Sequence, residues 1–202
     1  MVRIGMTTDS RIGPKFLFPG LGYGGSCFPK DVHALIKFGE ENACNMSIIQ
    51  ATDEVNKRQR ELFIKKITDK YGTNLDGKTF CTWGLAFKPR TNDMREAPAI
   101  TVINQLLGYG AKIRAYDPKA MESAKLIFGN RIFYAKNAYD ALDNADCLLL
   151  LTEWNEFRRP DFDKVKSLLK KPVIFDGRNQ YNAKRLNEKG FEYHQIGCKS
   201  LI

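Results

Sequence analysis

A parallel sheet is first indicated by the run Lys78-Thr79-Phe80-Cys81-Thr82-Trp83, a short segment of aromatic and β-branched residues that ends at Gly84. Similar segments recur along the chain, and we predict strands at 78–83, 112–116, 131–134, 146–152, 172–175 and 192–196. Helical patterns lie between these strands, at 97–107, 118–128, 138–144, 162–169 and 183–189. Strands that alternate with helices over short connections predict an α/β domain with a doubly wound parallel sheet.

The chain before this alternation is predicted to be largely helical. One helix is expected over 28–41, and a second, long helix over about 47–71. The second helix carries a narrow apolar stripe of the kind that forms a contact between subunits or domains, or that packs on its own domain. The stripe consists of Ile48, Val55, Leu62 and Ile67. A polar turn at 72–77 then leads us to predict two regions: residues 1–73, which combine the loop that carries Cys27 with the central helices, and an α/β region at 74–202.

The segment 20–31, Gly-Leu-Gly-Tyr-Gly-Gly-Ser-Cys-Phe-Pro-Lys-Asp, is predicted to present a nucleophile at the start of a helix. Ser26 is a good N-cap residue, and Pro29 suits a first helical turn because its missing N–H has no partner there. Cys27 would then lie beside free backbone N–H groups at the positive end of the helix dipole, which favours the thiolate. Asp31 follows one turn later on the same face.

Two other interpretations of this segment are weaker. The glycines at positions 20, 22 and 25 match the dinucleotide-binding pattern, but that pattern requires a preceding strand, and Pro19 argues against one. A buried structural cysteine in a glycine-rich turn is the usual role of a lone cysteine. The helix-start position and the nearby carboxylate favour a reactive thiol instead.

Composition limits the function classes. The 202 residues carry a net charge of +9, but the basic residues are dispersed among acidic ones, which argues against a nucleic-acid module. Five cysteines without paired spacing suggest neither a disulfide framework nor a zinc site, and His33 and His194 are too isolated for a metal site. No apolar run is long enough to span a bilayer. We therefore expect a cytoplasmic protein without a metal, a membrane or a nucleic-acid partner.

Charged residues follow several predicted strands. Lys88 and Arg95 lie after the first strand, and Arg178 lies after the fifth, next to Asp176 and Gly177. Ligands of open parallel sheets bind beyond the carboxyl ends of the strands, so these cations could gather at one rim and hold a sugar-nucleotide diphosphate. Solvated loop charges are the ordinary alternative.

Four motifs in order give the chain a specific resemblance to the nucleotide-sugar dehydrogenases, on the UDP-glucose branch. They are residues 8–13, the run ending at Asp31, residues 84–89 and residues 176–178. The resemblance covers nearly the whole chain but only the central and C-terminal portion of such an enzyme. It implies a Rossmann-like UDP-sugar-binding domain, preceded by a helical region whose long helix connects the two halves and forms the core of a homodimer.

The resemblance also implies roles for individual residues. Cys27 would be the catalytic nucleophile, and Asp31 would position or activate water. Arg95 would reach NAD, and Arg11 would be supplied to the substrate of a neighbouring subunit. The substrate-binding positions that the resemblance implies are Arg11, Phe16, Leu17, Gly20, Tyr23, Gly24, Phe87, Lys88 and Arg178.

The reaction implied is oxidation of UDP-glucose to UDP-glucuronate, a precursor for polysaccharide synthesis, by two molecules of NAD. The NAD-binding half would lie outside this chain, so we expect the chain alone to be inactive. Alternatives are a dehydrogenase of GDP-mannose or a UDP-N-acetylhexosamine, or a non-catalytic nucleotide-sugar binding module. A cysteine hydrolase is a further alternative, but His33 would point away from Cys27 on a helix.

Overall fold

The computed structural model describes residues 2–198, and its centre is a sheet of six parallel strands. The strands are β1 (Thr79–Trp83), β2 (Lys112–Tyr116), β3 (Phe133–Tyr134), β4 (Cys147–Leu150), β5 (Val173–Asp176) and β6 (Glu192–Gln195). Their order across the sheet is β3-β2-β1-β4-β5-β6, so the order reverses between β1 and β4. This arrangement confirms the predicted Rossmann-like, doubly wound fold.

Eight α-helices occur in the described residues. They are α1 (Val2–Thr7), α2 (Phe28–Glu41), α3 (Ser47–Tyr71), α4 (Pro98–Gly108), α5 (Met121–Phe128), α6 (Ala138–Leu142), α7 (Phe162–Leu168) and α8 (Ala183–Glu188). Helix α1 was not predicted, because residues 1–19 show no strong apolar period. The other helices match the predicted ones, although α5 begins three residues later because Asp117 accepts the Lys119 and Ala120 N–H groups in a turn.

Alternate residues of the central strands pack in two separate apolar layers, one on each face of the sheet. Cys147 and Leu149 of β4 pack with α3, α4 and α5, whereas Leu148 and Leu150 pack with α6, α7 and α8. This alternation follows from the period of two in a strand, and helices on both faces explain why β4 is buried along its whole length. The predicted core roles of the cysteines in β1 and β4 are thereby confirmed.

Helix α3 joins the helical region to the sheet. Its C-terminal half buries Phe63, Ile64 and Ile67 in the same apolar layer as Phe80 and Phe175. Most of the predicted stripe faces outward, since only its last member, Ile67, is buried. The division of the chain at residues 73 and 74 stays a prediction.

Candidate functional site

The glycine-rich segment 20–25, hereafter the glycine loop, is held against α3 by polar side chains. Asn56 accepts a hydrogen bond from the Tyr23 N–H at 2.7 Å, and its amide nitrogen donates to the Tyr23 carbonyl at 3.2 Å. Arg60 also donates to the Tyr23 carbonyl at 2.9 Å, and Gln59 donates to the Gly20 carbonyl at 2.8 Å. Because the loop lacks regular secondary structure, these bonds satisfy backbone groups that would otherwise be unpaired.

The same segment touches the loop that follows β1. The Gly25 N–H donates to the Arg95 carbonyl at 2.8 Å, and a Cβ at Gly25 would lie 2.7 Å from the Phe87 ring. A Cβ at Gly24 would overlap the Glu96 carbonyl oxygen. Glycine is required at position 24 because the Glu96 backbone lies so close, and at position 25 because of the Phe87 ring and a left-handed φ of 91°. Gly24 and Phe87, both predicted substrate-binding residues, are therefore brought together.

Arg178 lies immediately beyond β5. Its N–H donates to the Asp176 carboxylate at 2.8 Å, and its guanidinium Nη2 donates to Glu153 at 2.8 Å. A Cβ at Gly20 would overlap Nη1 of this guanidinium, so the glycine leaves the space that Arg178 occupies. The turn after β5 and the glycine loop thus meet at one side chain.

Asp176 makes this turn rigid. The carboxylate is fully buried and accepts hydrogen bonds from the Tyr193 hydroxyl at 2.6 Å and the Gln180 N–H at 2.8 Å. Burial raises the pKa of Asp176, and these hydrogen bonds oppose that shift. A buried carboxylate with several donors fixes the backbone from which Arg178 projects.

A cleft of about 450 Å³ lies between the glycine loop, α3 and Arg178. The residues around it are Phe18, Gly20, Gly22, Tyr23, Thr52, Val55, Asn56, Gln59 and Arg178. Three predicted binding residues line this cleft together, namely Gly20, Tyr23 and Arg178. The contributions of α3 and Phe18 were not predicted; the only signal for α3 was the polar pair at positions 56 and 59, one helical turn apart.

Cys27 is exposed at the N-terminus of α2. The predicted helix start at Phe28 is confirmed, but the expected capping role of Ser26 is wrong, because Cys27 itself occupies the N-cap position and no side chain caps the helix. Ser26 Oγ instead lies 3.6 Å from Cys27 Sγ. Asp31 is one turn along and exposed, 3.4 Å from the Lys30 ammonium. The thiol is accessible to a substrate.

Arg95 and Lys88 lie on the loop after β1, outside the lining of the cleft. Arg95 forms a two-pronged ion pair with Asp93, with contacts of 2.8 and 3.0 Å. This hydrogen bonding raises the pKa of Arg95, and the nearby Cys27 adds a smaller electrostatic contribution. The Lys88 ammonium lies 5.1 Å from the centre of the Phe87 ring. Of the three predicted cations, Arg178 is the one that lines the cleft.

The remaining predicted residues are on the outside of the helical region. The Arg11 guanidinium is paired with Asp9 at 2.6 and 3.0 Å and projects into solvent. Phe16 and Leu17 have 68% and 47% of their surface exposed. None of these predicted residues lines the cleft, so the structure does not bring them to Arg178.

Other titratable groups have structural partners. His33 lies 3.1 Å from Asp53 and His194 lies 2.7 Å from Glu192. Within residues 2–198, no cluster of three or more metal-binding side chains is present. No helix in that part of the chain combines the length and the apolar character needed to cross a membrane.

Two family descriptions match the sequence. The UDP-binding domain of the UDP-glucose/GDP-mannose dehydrogenase family matches residues 81–183, and the central domain of the same family matches residues 1–58. The chain belongs to the UDP-glucose/GDP-mannose dehydrogenase family. The resemblance inferred from the four motifs is thus confirmed.

Individual relatives agree with this assignment. The chain is 42% identical to UDP-glucose 6-dehydrogenase of Pseudomonas aeruginosa over 97% of its own length and 44% of the relative's. It is 43% identical to UDP-glucose 6-dehydrogenase TuaD of Bacillus subtilis over 96% of its length and 42% of that protein. The solved structure of a UDP-glucose dehydrogenase from Pyrobaculum islandicum shares 33% identity with a TM-score of 0.82, over 96% of this chain and 42% of that one. The chain therefore spans less than half the length of these relatives.

Proposed function

We propose that this chain is the sugar-nucleotide-binding and nucleophile-bearing part of an NAD-dependent UDP-glucose 6-dehydrogenase. The observation that carries the proposal is the convergence of Gly20, Tyr23 and Arg178 on one cleft, on the chain that also exposes Cys27 at a helix start. The names of the closely similar relatives support UDP-glucose as the substrate.

The cleft combines polar groups with an apolar surface. Its lining includes Tyr23, Arg178 and, from α3, Asn56 and Gln59, whose amides hold the glycine loop in place. An arginine can donate two parallel hydrogen bonds to a phosphate or a diol, while an aromatic ring covers an apolar face. In the proposal, Gly20 and Gly24 contribute backbone contacts, and Phe87 and Lys88 contact the ligand from the neighbouring loop.

Cys27 supplies covalent catalysis in this proposal. Oxidation of the C6 alcohol first gives an aldehyde, and the Cys27 sulfur bonds to the aldehyde carbon while the thiol proton goes to the carbonyl oxygen. A second oxidation leaves the acyl group as a thioester on Cys27. Water then adds to the thioester carbon, which releases the carboxylate and returns the thiol. Asp31, one turn from Cys27, would accept a proton from that water.

NAD would accept the two hydrides when bound, but the described residues do not form a cradle for it. After β1, where a dinucleotide loop would be expected, the Leu85 and Ala86 N–H groups donate to Asp117 at 2.7 and 3.1 Å. Thr152 also donates to the Ala86 carbonyl at 2.6 Å. We therefore assign NAD mainly to the part of the relatives that this chain does not span, with Arg95 as the contribution from this side.

The proposal includes assembly and location. The outward-facing stripe of α3 would form a homodimer, and Arg11, Phe16 and Leu17, which lie away from the cleft of their own chain, would act at the site of a neighbouring subunit. All five cysteines are free, which fits a reducing compartment, and we place the protein in the cytoplasm.

Calorimetric titration of this chain with UDP-glucose tests the proposal. We expect saturable binding that Arg178→Ala weakens about tenfold or more, since a charge-assisted hydrogen bond is lost. Arg185→Ala, on the exposed surface of α8, is the matched control and should bind normally. Tighter binding of GDP-mannose or UDP-N-acetylmannosamine would favour the alternative dehydrogenases. The chain alone should not reduce NAD, and turnover at the rate of a complete dehydrogenase would overturn that assignment.

A further inference from the structure

Glu153 lies in the loop after β4, within hydrogen-bonding distance of the Arg178 side chain. Its carboxylate accepts a hydrogen bond from Arg178 Nη2 at 2.8 Å. Both side chains are largely buried, with 19% of Arg178 and 21% of Glu153 exposed. An ion pair in such a setting is screened less by water than a surface pair, so its geometry controls where the guanidinium points.

The other contacts of Arg178 leave its guanidinium dependent on Glu153. Asp176 fixes only the backbone N–H of Arg178, and the Gly20 backbone supplies space rather than a hydrogen bond. Arg178 Nε is buried without a hydrogen-bond partner among residues 2–198. Glu153 is the one ion-pair partner of Arg178 in that part of the chain. Its loss would free the torsions of a long side chain.

Glu153 is not among the residues that line the cleft, whereas Arg178 is. Glu153 therefore makes no contact of its own with a ligand in the cleft and meets it through Arg178. We propose that Glu153 is a positioning residue for sugar-nucleotide binding, which holds the Arg178 guanidinium in the wall of the cleft. This inference rests on the proposed function, because it takes the ligand to be the sugar nucleotide.

The ion pair with Glu153 also changes the kind of interaction that Arg178 can make with the ligand. Since the carboxylate neutralises the guanidinium, Arg178 contributes directed hydrogen bonds more than net positive charge. An amide oxygen at position 153 can accept the same hydrogen bond without the charge. Glu153→Gln should therefore preserve the position of Arg178, whereas Glu153→Ala should not.

A double-mutant cycle on the full chain tests this inference, with UDP-glucose affinity measured by calorimetry. We expect Glu153→Ala to weaken binding about three- to tenfold and Glu153→Gln to bind at least as tightly as the wild type, because the amide oxygen accepts the same hydrogen bond without neutralising the guanidinium. In the Arg178→Ala background, Glu153→Ala should cause no further loss of affinity. Glu156→Ala, three residues along and exposed, is the matched control. Thermal melting of each variant establishes that it is folded.

The outcomes separate the two proposals. A wild-type chain that fails to bind UDP-glucose overturns the proposed function, and the role of Glu153 with it. If the wild type binds and Arg178→Ala weakens binding, additive losses in the double variant overturn the positioning role alone, because Glu153 then acts independently of Arg178. Unchanged affinity in Glu153→Ala would also overturn the positioning role. Non-additive losses with rescue by Glu153→Gln support it, since a merely structural defect would not disappear when Arg178 is absent.

Discussion

The backbone of Gly20 lies directly against the guanidinium of Arg178, which leaves no room for a side chain at position 20. A Cβ at position 20 would overlap Arg178 Nη1. The two residues are far apart in the sequence, yet they fit together in the structure. The absence of a side chain at Gly20 leaves the space that the Arg178 guanidinium occupies. The Gln59 amide nitrogen donates to the Gly20 carbonyl at 2.8 Å, and this hydrogen bond opposes a retreat of the loop.

Gly20→Ala should therefore weaken UDP-glucose binding about tenfold, because the new methyl group displaces the arginine from the cleft wall. Titration calorimetry measures the effect. Gly108→Ala, at the end of α4, is the matched control, since nothing lies within 4 Å of a Cβ at that position. Normal UDP-glucose binding by Gly20→Ala would show that binding does not require Arg178 in its observed position.

The cysteines should divide into two classes in native alkylation. Cys27, Cys44 and Cys198 are exposed, whereas Cys81 and Cys147 are completely buried, and burial raises the pKa of both buried thiols. We expect iodoacetamide to label the exposed cysteines in the folded chain and the two buried ones only after unfolding in urea. Peptide mass spectrometry identifies the labelled sites, and rapid native labelling of Cys81 would contradict the buried position of β1.

The alternation of strands and helices could be predicted because each element carries its own local period. The parallel order follows from that alternation, since short connections with helices leave few other topologies. Element ends were less predictable. Helix α6 stops at Leu142, two residues before the predicted end, and Asn144 adopts a left-handed φ of 54° that a local apolar pattern does not encode.

The site was predictable only where a motif marks it. Cys27 at a helix start and Arg178 after a strand could be placed from local sequence alone. The support that Asn56, Gln59 and Arg60 give to the glycine loop could not, because those bonds join residues more than 30 positions apart. Polar residues on a long helix are usually solvated, and only tertiary packing turns this set inward.

Asp146 should make the stability of the fold sensitive to acid. Burial raises the pKa of its carboxyl, but the Thr79 N–H at 2.8 Å and the ammonium groups of Lys170 and Lys78 outweigh burial and lower it overall. The unfolded chain therefore binds the proton more readily than the folded one. The stabilisation is fully present above the ordinary pKa of about 4, and it is lost as the pH falls through the lower folded-state pKa.

Asp146→Asn should consequently lower the free energy of unfolding by about 1–2 kcal/mol at pH 7. The difference from the wild type should shrink in acid, where the wild-type carboxyl also becomes neutral. Urea unfolding at pH 7 and in acid measures this difference in the free energy of unfolding. The control is Asp143→Asn, at an exposed position. A difference of equal size at both pH values would mean that the charge of Asp146 is not what stabilises the fold.

The outward face of α3 should mediate self-association. Ile48, Val55 and Leu62 recur every seven residues and have 80%, 51% and 50% of their surface exposed. The opposite face is committed to the sheet through Phe63 and Ile67. A stripe with this spacing can pack against the same stripe of a second chain, which would remove these side chains from water.

The double substitution Ile48→Glu and Leu62→Glu should shift the chain from dimer to monomer, because burying two carboxylates in an apolar contact is unfavourable. Sedimentation velocity across a range of protein concentrations measures the change. Leu126→Glu on α5 is the control, since Leu126 is 90% exposed but lies far from the stripe in sequence. A double variant that remains dimeric would exclude this face of α3 as the interface, and a wild type that is monomeric throughout the range would exclude the homodimer.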